Sequence, residues 1–119
     1  MPHLALLGDS IFDNAPYTCG GPDVVSQVRD LLPSGWGGPL LAVDGATTVN
    51  VSDQIQQLPK ECTHLVLSVG GNNALMEASR LGISFFGMTD EPTSQSLHSL
   101  ADISDAFESQ YRSAVHACL

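Results

Sequence analysis

Three short apolar runs, each cut off by glycine and small polar residues, constrain this chain more than any other feature. His3-Leu4-Ala5-Leu6-Leu7 runs into Gly8-Asp9-Ser10. Leu40-Leu41-Ala42-Val43 runs into Asp44-Gly45-Ala46-Thr47-Thr48. Thr63-His64-Leu65-Val66-Leu67-Ser68-Val69 runs into Gly70-Gly71-Asn72-Asn73. Runs this short and this apolar read as strands buried on both faces, over 3–7, 40–43 and 63–69.

Helical spacing fills the intervals. Pro22-Asp23 opens a helix to about Leu32, with Val24, Val25, Val28, Leu31 and Leu32 in helical register, and Pro33 with Ser34-Gly35 ends it. A shorter helix is expected over 51–58, capped by Ser52 or Asp53 and stopped at Pro59. A third runs from Ala74 to about Arg80. The glycines of 82–91 read as a loop, in which Phe85 and Phe86 are expected to be buried. A long helix covers 96–118, its apolar face made by Leu100, Ile103, Phe107, Tyr111, Ala114 or Val115, and Cys118. Strands alternating with helices predict an α/β fold with a parallel sheet and helices on both faces. No internal repeat and no interior linker divides the chain, so one domain over 1–119 is expected.

Composition removes whole classes of partner. Thirteen acidic residues against four basic ones give a formal charge of −9, which repels nucleic acid and anionic membrane surfaces. Cys19, Cys62 and Cys118 form no C-x-x-C and are odd in number, so neither a disulfide framework nor a zinc site is expected. Without a charged segment ahead of a long apolar stretch, the reading is a cytoplasmic protein with reduced thiols and no membrane span.

In parallel α/β sheets ligands bind beyond the carboxyl ends of the strands. The three strand ends here would therefore converge on one site. Ser10 is the candidate nucleophile there, exposed by a sharp turn at Gly8; it needs a base to activate it and donors for the oxyanion formed on attack. The backbone N–H groups of Gly45 and Ser10 and the side-chain amide of Asn72 are the candidate donors. Each also has a purely local reading: a capped turn at Gly-Asp-Ser, a turn glycine at 45, an Asx-turn at 72.

Taken together, the three strand ends resemble the sequence blocks of the GDSL, or SGNH, hydrolase family. Leu6-Leu7-Gly8-Asp9-Ser10 is similar to its first block, Asp44-Gly45-Ala46-Thr47-Thr48 to its second, and Leu65 to Asn73 to its third. The resemblance implies a flavodoxin-like, three-layer α/β/α fold of about five strands, of which this chain would supply three. It implies cleavage of small-molecule, lipid or carbohydrate esters without cofactor or metal. Ser10 would be the nucleophile and Gly45 and Asn72 the oxyanion donors, with Gly8, Asp9, Gly70 and Asn73 in support.

Two departures accompany the resemblance. Asn73 stands where the family has aspartate, and the D-x-x-H block that supplies the histidine and its acid is missing. His3 lies at the opposite end of its strand from Ser10, roughly 20 Å away at ~3.3 Å per residue. His64 starts the third strand, His116 ends the last helix, and His98 lies nearer the rim in that helix's first turns. Asp13 is a cap or loop brace. The expectation is thus a truncated family member, itself inactive or weakly active. The alternative is a non-catalytic binding or assembly module with a degenerate pocket, self-associating through the uncovered edge of the third strand. A flavodoxin-like phosphate or nucleotide binder is the weakest reading, because no phosphate-loop motif is present and Asp9 and Asp13 would repel phosphate.

Overall fold

The computed structural model describes the backbone of residues 1–86 and 94–119 and the side chains of residues 1–78 and 97–119. Strand β1 (His3–Gly8) and strand β2 (Cys62–Ser68) pair in parallel, with Ala5 beside Leu65, Leu6 beside Val66 and Leu7 beside Leu67. Between them lie α1 (Val24–Leu31) and α2 (Val51–Gln56); after them come α3 (Gly71–Phe86) and α4 (Ser94–Ala117). The loop expected over 82–91 is helix up to Phe86. The expected burial of Phe85 and Phe86 lies outside the described residues.

The fold expected from the sequence is corrected here. Among the described residues the sheet has two strands, not three, and it is open. These residues form no flavodoxin-like three-layer arrangement. Residues 37–43 do run beside the free edge of β1, but they touch it only through the isolated bridges of His3 with Gly37 and Leu6 with Leu40.

The reason is local chemistry. Gly37 donates to the Pro2 carbonyl and accepts from Leu4, and the Pro39 carbonyl accepts from Leu6. The next bond of a regular parallel ladder would run from residue 39 to the Leu4 carbonyl, and proline has no N–H to make it. Further along, the Leu41 and Ala42 amides both donate to the one Leu6 carbonyl, each at 2.9 Å. One missing donor and one doubled acceptor keep the segment irregular.

Ala5, Leu7, Val51 and Ala114 form the core, with Leu41, Ile55, Leu58, Cys62, Leu65, Leu67, Val69 and Cys118 packed against it. Strand alternation explains the selection: Ala5 and Leu7 share a face with their neighbours Leu65 and Leu67, and α2 and the C-terminal half of α4 cover that face. On the opposite face Val66 is 40% exposed and His64 is exposed. The α1 helix starts at Asp23, whose carboxylate accepts the Ser26 amide at 3.0 Å, and it lies against Gly38 through Arg29 and Leu32.

The molecule measures 58 × 35 × 18 Å, with a radius of gyration of 17.9 Å. A compact chain of this length has a radius of gyration of roughly 13–14 Å. The excess comes from α3 and α4. They pack side by side as a hairpin anchored at the sheet through Ala114 and Phe107, and their outer turns project beyond the strand ends.

Candidate functional site

Three loops meet at the carboxyl ends of the strands, joined by backbone and amide bonds. The Asp9 amide donates to the Ser68 carbonyl, the Val43 amide to the Gly8 carbonyl, and the Asn72 side-chain amide to the Ala46 carbonyl at 2.9 Å. Sequence reasoning assigns Ser10, Gly45 and Asn72 to one rim, and these bonds bring their loops together there.

A buried glutamine locks the centre of the rim. Gln54 is 3% exposed; its amide donates to the Gly8 carbonyl at 2.9 Å and its oxygen accepts the Gly8 amide at 2.8 Å. Sequence reasoning passed over Gln54, although the signal was present. Val51, Ile55 and Leu58 make the apolar stripe of this helical segment, and residue 54 falls within it, a polar side chain on the buried face that requires partners. Gly8 has φ +120°, and a Cβ there would fall 1.7 Å from the Ser68 carbonyl oxygen. Glycine at position 8 is thus required for β1 and β2 to meet.

Asn73 is a second brace. Its oxygen accepts the Thr48 amide at 3.1 Å, and its amide donates to Thr48 Oγ1 at 2.9 Å and to Gln110 at 3.3 Å. An aspartate could accept but not donate, so the asparagine suits this position. The acidic residues act as loop braces too. Asp9, 4% exposed, accepts the Ile11 amide; Asp13 accepts the Asp44 amide at 2.8 Å; and the Tyr17 hydroxyl donates to the Asp44 carboxylate. That last bond, with the negative charge of Asp44 behind it, holds the Tyr17 proton above its ordinary pKa of 10.0.

Among the described residues this rim assembles no hydrolytic triad, and the esterase expectation is corrected on that ground. The Ser10 hydroxyl has no hydrogen-bond partner among the described residues. His3 and His64 begin their strands, at the opposite end of the sheet; the His64 ring rests on Trp36 at 5.2 Å and bonds Thr63. Phe107 of α4 is the residue that packs at Gly70, and His98 lies nine residues before it on the helix, about 13 Å further out at 1.5 Å per residue. His116 is in the last turn of α4. Among the described residues no histidine therefore reaches Ser10, and one N–H of the Asn72 amide is held by the Ala46 carbonyl. Gly45 is exposed with φ +86°, a turn glycine. Gly70, at φ +121°, makes room for the Phe107 ring. Among the described residues no group of three or more metal-ligating side chains forms, and no helix is long and apolar enough to cross a membrane.

Two other features remain open to a partner. One is a groove of about 680 Å³ between α3 and α4, lined in part by Asn73, Ala74, Ile103, Phe107 and Gln110. The other is the outer edge of β2. Every residue of β2 retains some exposure, whereas Ala5 to Gly8 of β1 are buried. The Asp9 amide bonds the Ser68 carbonyl, so even-numbered residues of β2 turn their backbone groups toward β1. Alternation then points the N–H and C=O groups of Leu65 and Leu67 outward, where no described strand meets them.

No protein-family model, curated protein or solved structure matches this chain. Membership of the GDSL hydrolases is not supported; the blocks that carry the resemblance span the ends of β1 and β2 and the loops beyond them. Those blocks lie on a two-stranded sheet that lacks the extended strand core of that family.

Proposed function

We propose that this chain is a non-catalytic assembly module that takes an extended segment of another polypeptide along the outer edge of β2. The observation that carries this reading is the edge itself: Leu65-Val66-Leu67 on a strand with one neighbour among the described residues, with no Lys, Arg, Asp or Glu from Cys62 to Met76. Edge strands that stay monomeric are blunted by charge, proline, bulges or cover. The β2 edge has its irregularity at its start, between His3 and Leu4 of the partner strand, and none through Leu65 to Ser68. An added strand would gain backbone hydrogen bonds, and its side chains would extend the Leu65–Leu67 face.

On this reading Ser10, Gly45 and Asn72 shape the loops at the rim and perform no chemistry. The test uses an extended peptide of alternating valine and threonine as probe, with amide exchange read by NMR. Strand addition slows exchange at Leu65, Leu67 and Val69, and a proline-interrupted peptide does not. Ser10→Ala leaves that protection unchanged and hydrolyses p-nitrophenyl acetate at the same rate as the parent chain. Unchanged exchange at all three amides, with saturating peptide, rules the reading out.

A further inference from the structure

We infer that the strand received at the β2 edge is the β2 strand of a second copy of this chain, antiparallel to the first about a two-fold axis at Val66. The inference rests on the assembly reading above and names its partner.

Leucines flank Val66 on both sides, at 65 and 67, and the symmetry stops there, with His64 and Ser68 next outward. A two-fold axis through Val66 places Leu65 opposite Leu67 of the second copy, and the reverse. Both residues turn their backbone groups outward, so these become the hydrogen-bonded pairs of the new ladder. Val66 then meets Val66 in the closer, non-hydrogen-bonded pairing. A register with odd residues opposite even ones would set each outward N–H against a residue whose own carbonyl points back to β1, so the pleat selects this family of registers.

Burial points the same way. Leu65 and Leu67 are half-buried beside Ala5 and Leu7, on the face that α2 and α4 cover. Joining two copies makes a four-stranded sheet in which this apolar row runs unbroken through the junction. On the other face each Val66, 40% exposed alone, is covered by its mate. The contact is isologous and closes on itself, since each copy has one free β2 edge.

Charge distinguishes this partner from others. Each copy carries −9, so two copies repel at long range, while the paired strands themselves bring no like charges face to face. Salt screens the repulsion and leaves the ladder intact, so association strengthens with ionic strength. A basic partner would show the opposite trend.

Sedimentation equilibrium of the full chain over a concentration series, at low and high salt, is the experiment. A monomer–dimer equilibrium that tightens with salt is expected. Val66→Lys sets two ammonium groups against each other at the axis and weakens dimerisation by about tenfold or more. Val66→Glu does the same, and mixing the two variants restores a heterodimer, which shows that both remain folded. A dimer indifferent to either variant overturns the inference, because it uses another face. A chain that stays monomeric, but whose β2 amides are still protected by the valine–threonine peptide, also overturns it and leaves the assembly reading standing. A monomer without peptide protection removes both.

Discussion

At the scale of single residues, the rim is held by groups whose partners are all internal. Gln54 satisfies both backbone groups of Gly8 in a buried setting. Replacing it with leucine leaves the Gly8 N–H buried without a partner, while the Gly8 carbonyl keeps the Val43 amide. Such an orphaned group costs roughly 1–3 kcal/mol, so Gln54→Leu is expected to destabilise by about that much, read from the urea midpoint. Gly8→Ala is expected to be worse, because its Cβ would overlap the Ser68 carbonyl oxygen and its φ lies in the left-handed region. That contact involves backbone on both sides, so β1 and β2 must part; soluble expression with native circular dichroism would contradict the geometry. The Tyr17–Asp44 bond makes a pH prediction. The folded-state pKa of Tyr17 is raised above 10.0. Its contribution is therefore complete below the unfolded pKa and is lost as pH rises through the folded one. Thermal melts across the alkaline range should show a loss of stability in the parent chain that Tyr17→Phe lacks.

At the scale of elements, the positions of two strands and several helices were legible because they rest on local pattern, whereas the flavodoxin-like sheet expected from them is not formed among the described residues. The runs ending at Gly8 and Gly70 became β1 and β2, and α1, α2 and α4 lie within a few residues of their expected bounds. Residues 40–43 misled because apolarity reports burial and says nothing of hydrogen bonding. Leu41 is half-buried and Ala42 buried beside β1, as a strand would be, but Pro39 denies the ladder its donor. The site misled for a related reason. Gly-Asp-Ser, Asp-Gly and Gly-Gly-Asn-Asn are what any parallel strand needs to turn, cap a loop and seat the next helix, whatever chemistry follows. Asp9, Asn72 and Asn73 make those structural bonds here. The missing D-x-x-H block was already legible as letters; the structure adds that none of the four histidines present is brought to Ser10. Pro39→Val tests the strand argument directly. It returns an N–H facing the Leu4 carbonyl, a gain of about 1 kcal/mol. It also frees the unfolded chain that proline had restricted, a loss of about 0.4–1 kcal/mol. Stability should hardly change, while the new amide at position 39 becomes slow to exchange.

At the scale of the whole molecule, charge and shape act together. A chain at −9, spread over 58 Å with few cations, repels itself along its length. The exposed Arg112–Glu108 pair, 2.9 Å apart on α4, offsets little of this, since exposed i,i+4 pairs contribute only a few tenths of a kcal/mol. At about 0.01 M salt the screening length is roughly 30 Å, long enough for the acids of α4 and those of the rim to sense one another; near 1 M it is roughly 3 Å. Adding salt should therefore raise the melting temperature, by roughly 3–6 °C for each kcal/mol of repulsion removed in a chain of this size. Dimerisation would add a second salt-dependent gain by mass action. The Val66→Lys variant separates the two. Its melting temperature should still climb with salt, because the repulsion within one chain remains, but it should lose the dependence on protein concentration that the parent shows. A parent chain whose melting temperature ignores concentration at every ionic strength would locate the whole salt effect inside the monomer, and the β2 edge would then have no second copy upon it.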